Sequence, residues 1–233
     1  MPKLLAIAFD LDDTLYPERE YALSGFRAVA GWAETALGIP GSQVSTELTG
    51  LFESGVRRNT FDRWLESRGL PPETWLIDMV GHYRQHVPQL VPFPGAVELL
   101  DSLYGSYRLA LLTQGYAAGQ RSKIKALGIE RYFETILILD ETEREQWKPS
   151  RRAFESLLGR LNLRADEVAY IGDNPEKDFF GARQLGIRTV RVRRPGGEHS
   201  NQEPIDPSYA ADIEVNEFSA IPEALKLEPR PVR

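Results

Sequence analysis

Three carboxylate side chains lie close together just after the first apolar segment of the chain. Asp10, Asp12 and Asp13 fall within four consecutive residues, and Thr14 follows them. Carboxylates this close repel one another unless a cation or a strong hydrogen-bond network holds them. An acidic turn or a helix N-cap would explain the cluster equally well, because aspartate is common at both. The cluster alone therefore leaves a metal site and a simple turn open.

A second acidic segment makes a metal site the better interpretation. Asp173 and Asp178 follow another short apolar run, Val168–Ile171, and precede a helix-length segment. Asp178 could cap that helix, but capping and metal support do not exclude each other. Asp173 and Asp178 could converge with Asp10 on one cation, and oxygen-only ligands favour Mg²⁺.

Two further segments carry groups that suit a phosphoryl group. Thr113, Gln114 and Gly115 offer a hydroxyl and exposed backbone N–H groups. Lys148 stands just before Pro149, a natural early-helix residue, and would supply positive charge. Each signal is weak alone, since threonine at a strand end and lysine before proline are usually structural or solvated.

Short apolar runs alternate with helix-length segments and would bring these polar residues together. Runs that are apolar on both faces are typical of parallel strands that helices cover on both sides. The predicted strands are Leu4–Phe9, Leu109–Thr113, Thr135–Leu139, Val168–Ile171 and Thr189–Val192. The predicted helices between or after them are Gly95–Leu103, Arg121–Leu127, Ser150–Leu161 and Asp178–Leu185. The alternation predicts an α/β fold with a doubly wound parallel sheet, whose carboxyl edge would bind ligands.

One region, from residue 17 to residue 92, interrupts this alternation. It contains no convincing strand, and prolines separate its amphipathic stretches. Those stretches are Arg19–Leu37, Val44–Arg57, Phe61–Arg68 and Glu73–His86. We therefore predict a core domain of residues 1–16 and 93–233 with an all-helical domain, 17–92, inserted after the first strand.

Composition narrows the classes of function and the compartment. The 233-residue chain is 42% hydrophobic and 27% charged, as in an ordinary globular protein. Its formal net charge of -6 argues against a nucleic acid as the main partner. The chain has no cysteine, which excludes disulfides and thiolate sites and fits a reducing compartment. No run approaches the roughly 20 apolar residues of a membrane span, so we expect a cytoplasmic protein without a membrane partner.

Taken in order, these motifs resemble those of the haloacid dehalogenase (HAD) superfamily, in its phosphatase branch. The resemblance covers nearly the whole chain, because the helical segment lies where that superfamily places its C1-type cap. It implies a Rossmann-like core and a small-molecule phosphate ester as substrate. The residues that carry it are Asp10-x-Asp12-x-Thr14, Thr113, Lys148 and the element from Gly172-Asp173 to Asp178.

The resemblance implies separate roles for the first two aspartates. Asp10 would attack phosphorus and form an aspartyl-phosphate, which splits one hard displacement into two steps. Asp12 would protonate the leaving alcohol and then deprotonate the water that hydrolyses the intermediate. Mg²⁺ would be held by Asp10, Asp173 and the main-chain carbonyl of Asp12. Asp178 would be a further ligand or would support the others.

Three residues would meet the phosphate according to the same resemblance. Thr113, the backbone at Gln114 and Lys148 would neutralise charge on the phosphoryl oxygens in the transition state. Position 114 departs from the superfamily pattern, which often has asparagine there. The longer glutamine could keep the backbone contact and alter what approaches the leaving group.

Several alternatives stay open at this level. Dehalogenases of the superfamily lack an aspartate at the position of Asp12, and this favours a phosphatase. A phosphomutase shares Asp10 and Asp12 but returns the phosphoryl group to its substrate. A non-catalytic phosphate-binding scaffold is the remaining alternative. Receiver domains of response regulators also cluster aspartates, but their motif order differs and they lack a helical insertion.

Two groups of side chains outside these motifs are weaker candidates. Residues that could read the leaving group, although packing or solvation is the commoner role, are Tyr16, Arg19, Tyr21, Arg57, Arg58 and Trp64. A stripe of arginines, Arg188, Arg191, Arg193 and Arg194, surrounds a strand expected near the sheet edge. Solvation or protection of that edge explains the stripe as well as recruitment of an anion does.

Overall fold

The computed structural model describes residues 3–228 and divides into two compact units. One unit is built from the described residues of Met1–Pro17 and Val91–Arg233, and the other is Glu18–Leu90. In the first unit, the N–H of Phe93 donates to the carbonyl of Leu15 at 2.9 Å. The segment that leaves this unit and the segment that returns to it are therefore hydrogen-bonded neighbours.

A six-stranded parallel sheet forms the centre of the first unit, in the order β3-β2-β1-β4-β5-β6. The strands are β1 Ala6–Phe9, β2 Arg108–Gln114, β3 Thr135–Leu139, β4 Val168–Gly172, β5 Arg188–Val192 and β6 Ile213–Val215. Phe9 at the end of β1 is in register with Leu111 of β2 and Ile171 of β4. The carboxyl ends of these three strands therefore meet. The predicted doubly wound α/β fold is confirmed.

Helices cover the sheet because its central strands are apolar on both sides. Every residue of β1 and β4 is buried. The helices of this unit are α5 Ala96–Leu103, α6 Ala117–Leu127, α7 Arg151–Leu161, α8 Phe180–Leu185 and α9 Ile221–Ala224. Helix α7 buries Ala153, Phe154, Leu157 and Leu161, which are spaced along one face. They join the residues of β1, β2 and β4 in one core cluster.

The second unit is entirely helical between its loops. Its helices are α1 Glu18–Leu37, α2 Gly41–Glu53, α3 Thr60–Ser67 and α4 Pro72–Gln85. They enclose a core of their own that includes Phe26, Leu48, Trp64 and Met79. Among the described residues of the whole chain, no helix combines the length and the apolar character that crossing a lipid bilayer requires.

Several side chains that the sequence offered as readers of a leaving group have partners inside this helical unit. Trp64 is buried and donates its indole N–H to Glu47 at 2.8 Å. The ring of Tyr21 packs against those of Tyr83 and His86. These contacts give Trp64 and Tyr21 structural roles.

A glycine on α8 provides a test of the packing that positions Lys148. A Cβ atom at Gly181 would lie 2.5 Å from the carbonyl oxygen of Pro149 and 3.0 Å from the amide nitrogen of Arg151. We expect Gly181→Ala to lower the free energy of unfolding by about 1–3 kcal/mol, because the backbone has to move apart. Urea unfolding measures this loss.

The matched control is Gly159→Ala on α7, where a Cβ atom would meet nothing within 4 Å. This exposed helical glycine should gain about 0.5–1 kcal/mol on substitution. Equal stability of the two alanine variants would contradict the close contact at Gly181.

Candidate active site

Three of the predicted carboxylates converge at the carboxyl edge of the sheet. Asp10 follows β1, and its N–H donates to the carbonyl of Ile171 on β4 at 2.9 Å. Asp173 follows β4 directly, and Asp178 lies five residues further on. One carboxylate oxygen from each of Asp10, Asp173 and Asp178 lies within 4.8 Å of the others, and all three residues are buried.

The ammonium group of Lys148 links two of these carboxylates. Its Nζ lies 2.7 Å from Oδ1 of Asp10 and 2.7 Å from Oδ1 of Asp178. It also donates to the hydroxyl of Tyr170 at 3.0 Å. The side chain of Lys148 is 2% exposed, so these contacts replace nearly all of its hydration. Sequence reasoning missed Tyr170, because its strand has the pattern of plain core.

Asp178 also shapes the loop that follows β4. Its Oδ2 accepts the N–H groups of Asp173 at 3.2 Å and Asn174 at 2.9 Å. A Cβ atom on Gly172 would lie 2.5 Å from the same oxygen, so only glycine leaves room for this carboxylate. Because both oxygens of Asp178 already accept hydrogen bonds, the geometry favours a supporting role over a direct metal contact.

Burial and mutual repulsion dominate the electrostatics of the group. Burial raises the pKa of Asp10 to about 7, although Lys148 opposes the rise. Burial and the neighbouring charges of Asp178 and Asp10 raise the pKa of Asp173 well above its usual value. The hydroxyl of Thr14 donates to Asp173 at 2.8 Å and opposes this. A hard cation would relieve the repulsion, and oxygen-only donors suit one. The cluster of buried aspartates therefore fits a metal ion.

Asp12 has different surroundings from Asp10, although only one residue separates them. Its Oδ1 accepts from Lys123 Nζ at 2.7 Å and from the hydroxyl of Tyr16 at 2.5 Å. Its Oδ2 accepts from Gln120 Nε2 at 2.8 Å. Burial alone would raise the pKa of Asp12, but Lys123 and the hydrogen bonds outweigh burial and hold the pKa below its ordinary value. The side chain of Asp12 is not in the three-carboxylate group.

The structure places two of the three predicted phosphate-binding residues, Thr113 and Gln114, at the end of β2. Thr113 is buried, and its Oγ1 accepts a hydrogen bond from Gln120 Nε2. Gln120 therefore connects Thr113 to Asp12. The side-chain oxygen of Gln114 is buried and has no hydrogen-bond partner among the described residues. Among the predicted site residues, Gln114 alone has a side chain that forms no hydrogen bond with the described part of the chain.

Sequence reasoning also missed Gln120 and Lys123. The helix was predicted to begin at Arg121, whereas α6 begins at Ala117. With the correct start, the residues Gln120, Lys123, Ile124 and Leu127 form one buried stripe at i, i+3, i+4 and i+7. Two polar residues in such a stripe are the signal that could have found them.

The interpretation of the arginine stripe as solvated is wrong for Arg191. Strand β6 pairs with β5, so β5 is not at the edge of the sheet. Arg191 is 2% exposed, and its Nε donates to the carbonyl of Asp173 at 3.1 Å. Its Nη2 donates to the carbonyls of His199 at 2.7 Å and Gln202 at 2.8 Å. Arg191 therefore holds the loop that carries Asp173.

Comparison with known proteins decides the family. The family model described as "Haloacid dehalogenase-like hydrolase" matches residues 7–192. The chain belongs to this family. The match begins in β1 and ends with β5, so it contains every predicted site residue.

Curated relatives of this HAD-like hydrolase are phosphatases. A glyceraldehyde 3-phosphate phosphatase from Methanopyrus kandleri is 31% identical over 220 residues, covering 91% of this chain and 92% of that protein. A phosphoserine phosphatase from Thermus thermophilus is 31% identical over 203 residues, covering 86% of this chain and 70% of that protein. These relatives confirm the prediction of an enzyme of the HAD-like hydrolase class.

Solved structures confirm the fold. The HAD-hydrolase YfnB from Bacillus subtilis superposes with a TM-score of 0.70 at 18% identity, covering 97% of this chain and 100% of that one. The HAD-like protein therefore has the Rossmann-like core that the resemblance implied.

Metal binding can be measured without any substrate. A ligand that binds only the folded state at 100 times its Kd adds about 2.7 kcal/mol of stability. We expect Mg²⁺ to stabilise the wild-type protein by this mechanism, and Asp173→Asn to lose most of the gain because it removes a ligand charge. Thermal unfolding with Mg²⁺ and with excess chelator gives both values.

The control for this measurement is Asp78→Asn, which removes an exposed carboxylate from α4. This variant should keep the full stabilisation by Mg²⁺. An equal gain in Asp173→Asn and the wild type would show that the three-carboxylate group does not hold the ion.

Proposed function

We propose that the protein is a Mg²⁺-dependent phosphatase that hydrolyses a small-molecule phosphate monoester through an aspartyl-phosphate on Asp10. The observation that carries this proposal is that two carboxylates, separated by one residue, have different surroundings. Asp10 belongs to the group that fits a metal ion, whereas Asp12 is held apart by Lys123, Tyr16 and Gln120. A nucleophile and a separate acid–base group need such different surroundings.

The first step would transfer the phosphoryl group to the enzyme. An oxygen of Asp10 attacks phosphorus while the bond to the leaving oxygen breaks, and Asp12 gives its proton to that oxygen. The negative phosphate next to Asp12 raises its pKa, which lets it carry this proton when substrate is bound. The aspartate at position 12 favours this reaction over carbon–halogen cleavage, because an alkoxide is a poor leaving group and needs a proton donor.

The second step would restore the enzyme. Asp12, now a carboxylate, takes a proton from water, and the resulting hydroxide attacks the phosphorus of the aspartyl-phosphate. The bond between Asp10 and phosphorus breaks and inorganic phosphate leaves. The ammonium of Lys148 and the hydroxyl of Thr113 stabilise the negative oxygens in both steps.

Asp10, Asp173 and the main-chain carbonyl of Asp12 would hold the metal ion, and Asp178 would support them. When bound, Mg²⁺ supplies positive charge that masks the repulsion between Asp10 and the anionic phosphate. The two curated relatives described above act on different esters, glyceraldehyde 3-phosphate and phosphoserine. The substrate class that we propose is therefore a phosphorylated small metabolite. The helical domain at 17–92 would act as a cap and select among such metabolites. The cytoplasm stays our predicted location.

Phosphate release from a panel of monoesters tests the function directly. The panel contains glyceraldehyde 3-phosphate, phosphoserine, sugar phosphates and nucleotides, each assayed with Mg²⁺ and with excess chelator. We expect release only with Mg²⁺, and we expect Asp10→Asn to abolish it because an amide oxygen cannot replace the attacking carboxylate.

Glu98→Gln, which removes an exposed carboxylate from α5 of the sheet-bearing unit, is the control for activity and should retain it in full. Full Mg²⁺-dependent activity in Asp10→Asn would refute the aspartyl-phosphate mechanism. Phosphorylation of Asp10 with transfer back to substrate, instead of to water, would identify a phosphomutase. No phosphorylation of Asp10 by any ester would leave a phosphate-binding scaffold.

The hydroxyl of Thr113 is tested by Thr113→Val, which keeps the shape of the side chain and removes its donor. We expect kcat/KM to fall by a factor that corresponds to about 2.7–4 kcal/mol, the usual value of one transition-state donor. Steady-state kinetics on the best ester of the panel measures this loss. A loss smaller than threefold, or about 0.7 kcal/mol, would remove Thr113 from the phosphate site.

A further inference from the structure

Helix α6 buries two polar side chains, Gln120 and Lys123, to which neither step of the mechanism above gives a role. They are 3% and 5% exposed and lie three residues apart, on one face of the helix. A buried ammonium is costly unless it is paired, and Lys123 is paired with Asp12 at 2.7 Å. Apolar side chains of similar volume often stabilise a fold as well as a buried ion pair does. Stability alone therefore does not account for the charge at Lys123.

The carboxylate of Asp12 is oriented by three donors. Lys123 and Tyr16 donate to Oδ1, and Gln120 donates to Oδ2. An ionised carboxylate offers about four acceptor positions, two on each oxygen. Among the described residues, Oδ1 thus has both positions filled and Oδ2 has one. The remaining position on Oδ2 is the one from which Asp12 can exchange a proton with a substrate oxygen or a water.

Gln120 also fixes the direction of the hydroxyl of Thr113. Its Nε2 carries two hydrogens and donates to both Asp12 Oδ2 and Thr113 Oγ1. Because Oγ1 accepts from Gln120, the hydrogen of the Thr113 hydroxyl is directed to another acceptor. A phosphoryl oxygen at the end of β2 is such an acceptor. One amide group therefore couples the acid–base residue to the phosphate-binding residue.

We propose that Gln120 and Lys123 are positioning residues, which hold Asp12 for proton transfer to the leaving oxygen and, through Gln120, aim the hydroxyl of Thr113 at the phosphate. This inference rests on the proposed phosphatase function and adds to it two residues outside the motifs. A positioning role predicts that the effect of a substitution depends on the leaving group, whereas a purely structural role does not. Proton transfer matters for an alkyl ester, which leaves as a poor alkoxide, and matters little for a nitrophenyl ester, which leaves as a stable anion.

The test compares these two classes of ester in Lys123→Met and Gln120→Met, which keep side-chain volume and remove the donors. A positioned acid contributes roughly 10²–10⁴-fold, and we expect Lys123→Met to lose about 10²-fold in kcat/KM on the best alkyl ester and less than about threefold on p-nitrophenyl phosphate. Gln120→Met also releases the hydroxyl of Thr113, so it should lose activity on both esters, with the larger loss on the alkyl ester. The ratio kcat/KM is the right quantity, because it covers the steps up to phosphoryl transfer to Asp10.

A second readout follows the later step, in which Asp12 activates water. With p-nitrophenyl phosphate, Lys123→Met should release a burst of nitrophenolate and then turn over slowly. Phosphorylated Asp10 should accumulate and be detectable by rapid acid quench and mass spectrometry. Lys123→Arg, which keeps the charge, should recover part of the loss on the alkyl ester.

The matched control is Lys125→Met, which removes the same charge from an exposed position of the same helix. It should behave as the wild type on both esters. If Lys123→Met fails to fold, as judged by circular dichroism, Gln120→Met decides, because it leaves the pair of Lys123 and Asp12 in place.

Equal losses on both esters without accumulation of phosphorylated Asp10 would overturn the inference and leave the phosphatase function standing. Wild-type protein that releases no phosphate from either ester with Mg²⁺ would overturn the proposed function and this inference with it. The two failures are therefore distinguishable.

Discussion

The arrangement of the site depends on one buried ammonium group. Lys148 lies between Asp10 and Asp178, at 2.7 Å from an oxygen of each, in a place where water cannot compensate the charges. Without it, three neighbouring aspartates would repel one another with little screening. The elements around it bring these groups together. Asp10 extends the pairing of β1 with β4, Lys148 precedes α7, and Asp178 holds the loop after β4 through two backbone N–H groups.

Local backbone chemistry supports the same arrangement. Gly172 leaves space for the carboxylate of Asp178, and Gly181 lets α8 approach the segment of Pro149 that follows Lys148. Arg191 holds the loop of Asp173 through a main-chain carbonyl. The geometry of the site therefore depends on two glycines that allow close packing and on hydrogen bonds to the backbone. The charged side chains of the sequence motifs are only part of it.

Much of the fold could be predicted from the sequence, because its strands are continuous apolar runs and its helices carry a clear stripe. Strand β6 could not, since it has three residues and an exposed Glu214 at its centre. Arg191 lies on β5, next to this edge strand, and its contacts with the carbonyls of Asp173, His199 and Gln202 come from loops that the arginine pattern does not reveal. At the site, residues that follow strands were predictable, since polar residues at strand ends are conspicuous. Tyr170, Gln120 and Lys123 lie within elements, where their chemistry is hidden by the pattern of a core.

The hydrogen bond between Phe93 and Leu15 gives the helical insertion a simple thermodynamic character. The two ends of the insertion are neighbours in the sheet-bearing unit. With respect to the folding of that unit, the inserted chain is therefore a loop whose ends are held together. The entropy of closing a loop grows only slowly with its length, by about 0.6 kcal/mol for each doubling. The strand pairing of β1 with β2 is therefore almost indifferent to how many residues lie between them. Evolution can lengthen, shorten or exchange the helices at this point while the sheet and its carboxyl edge keep their stability.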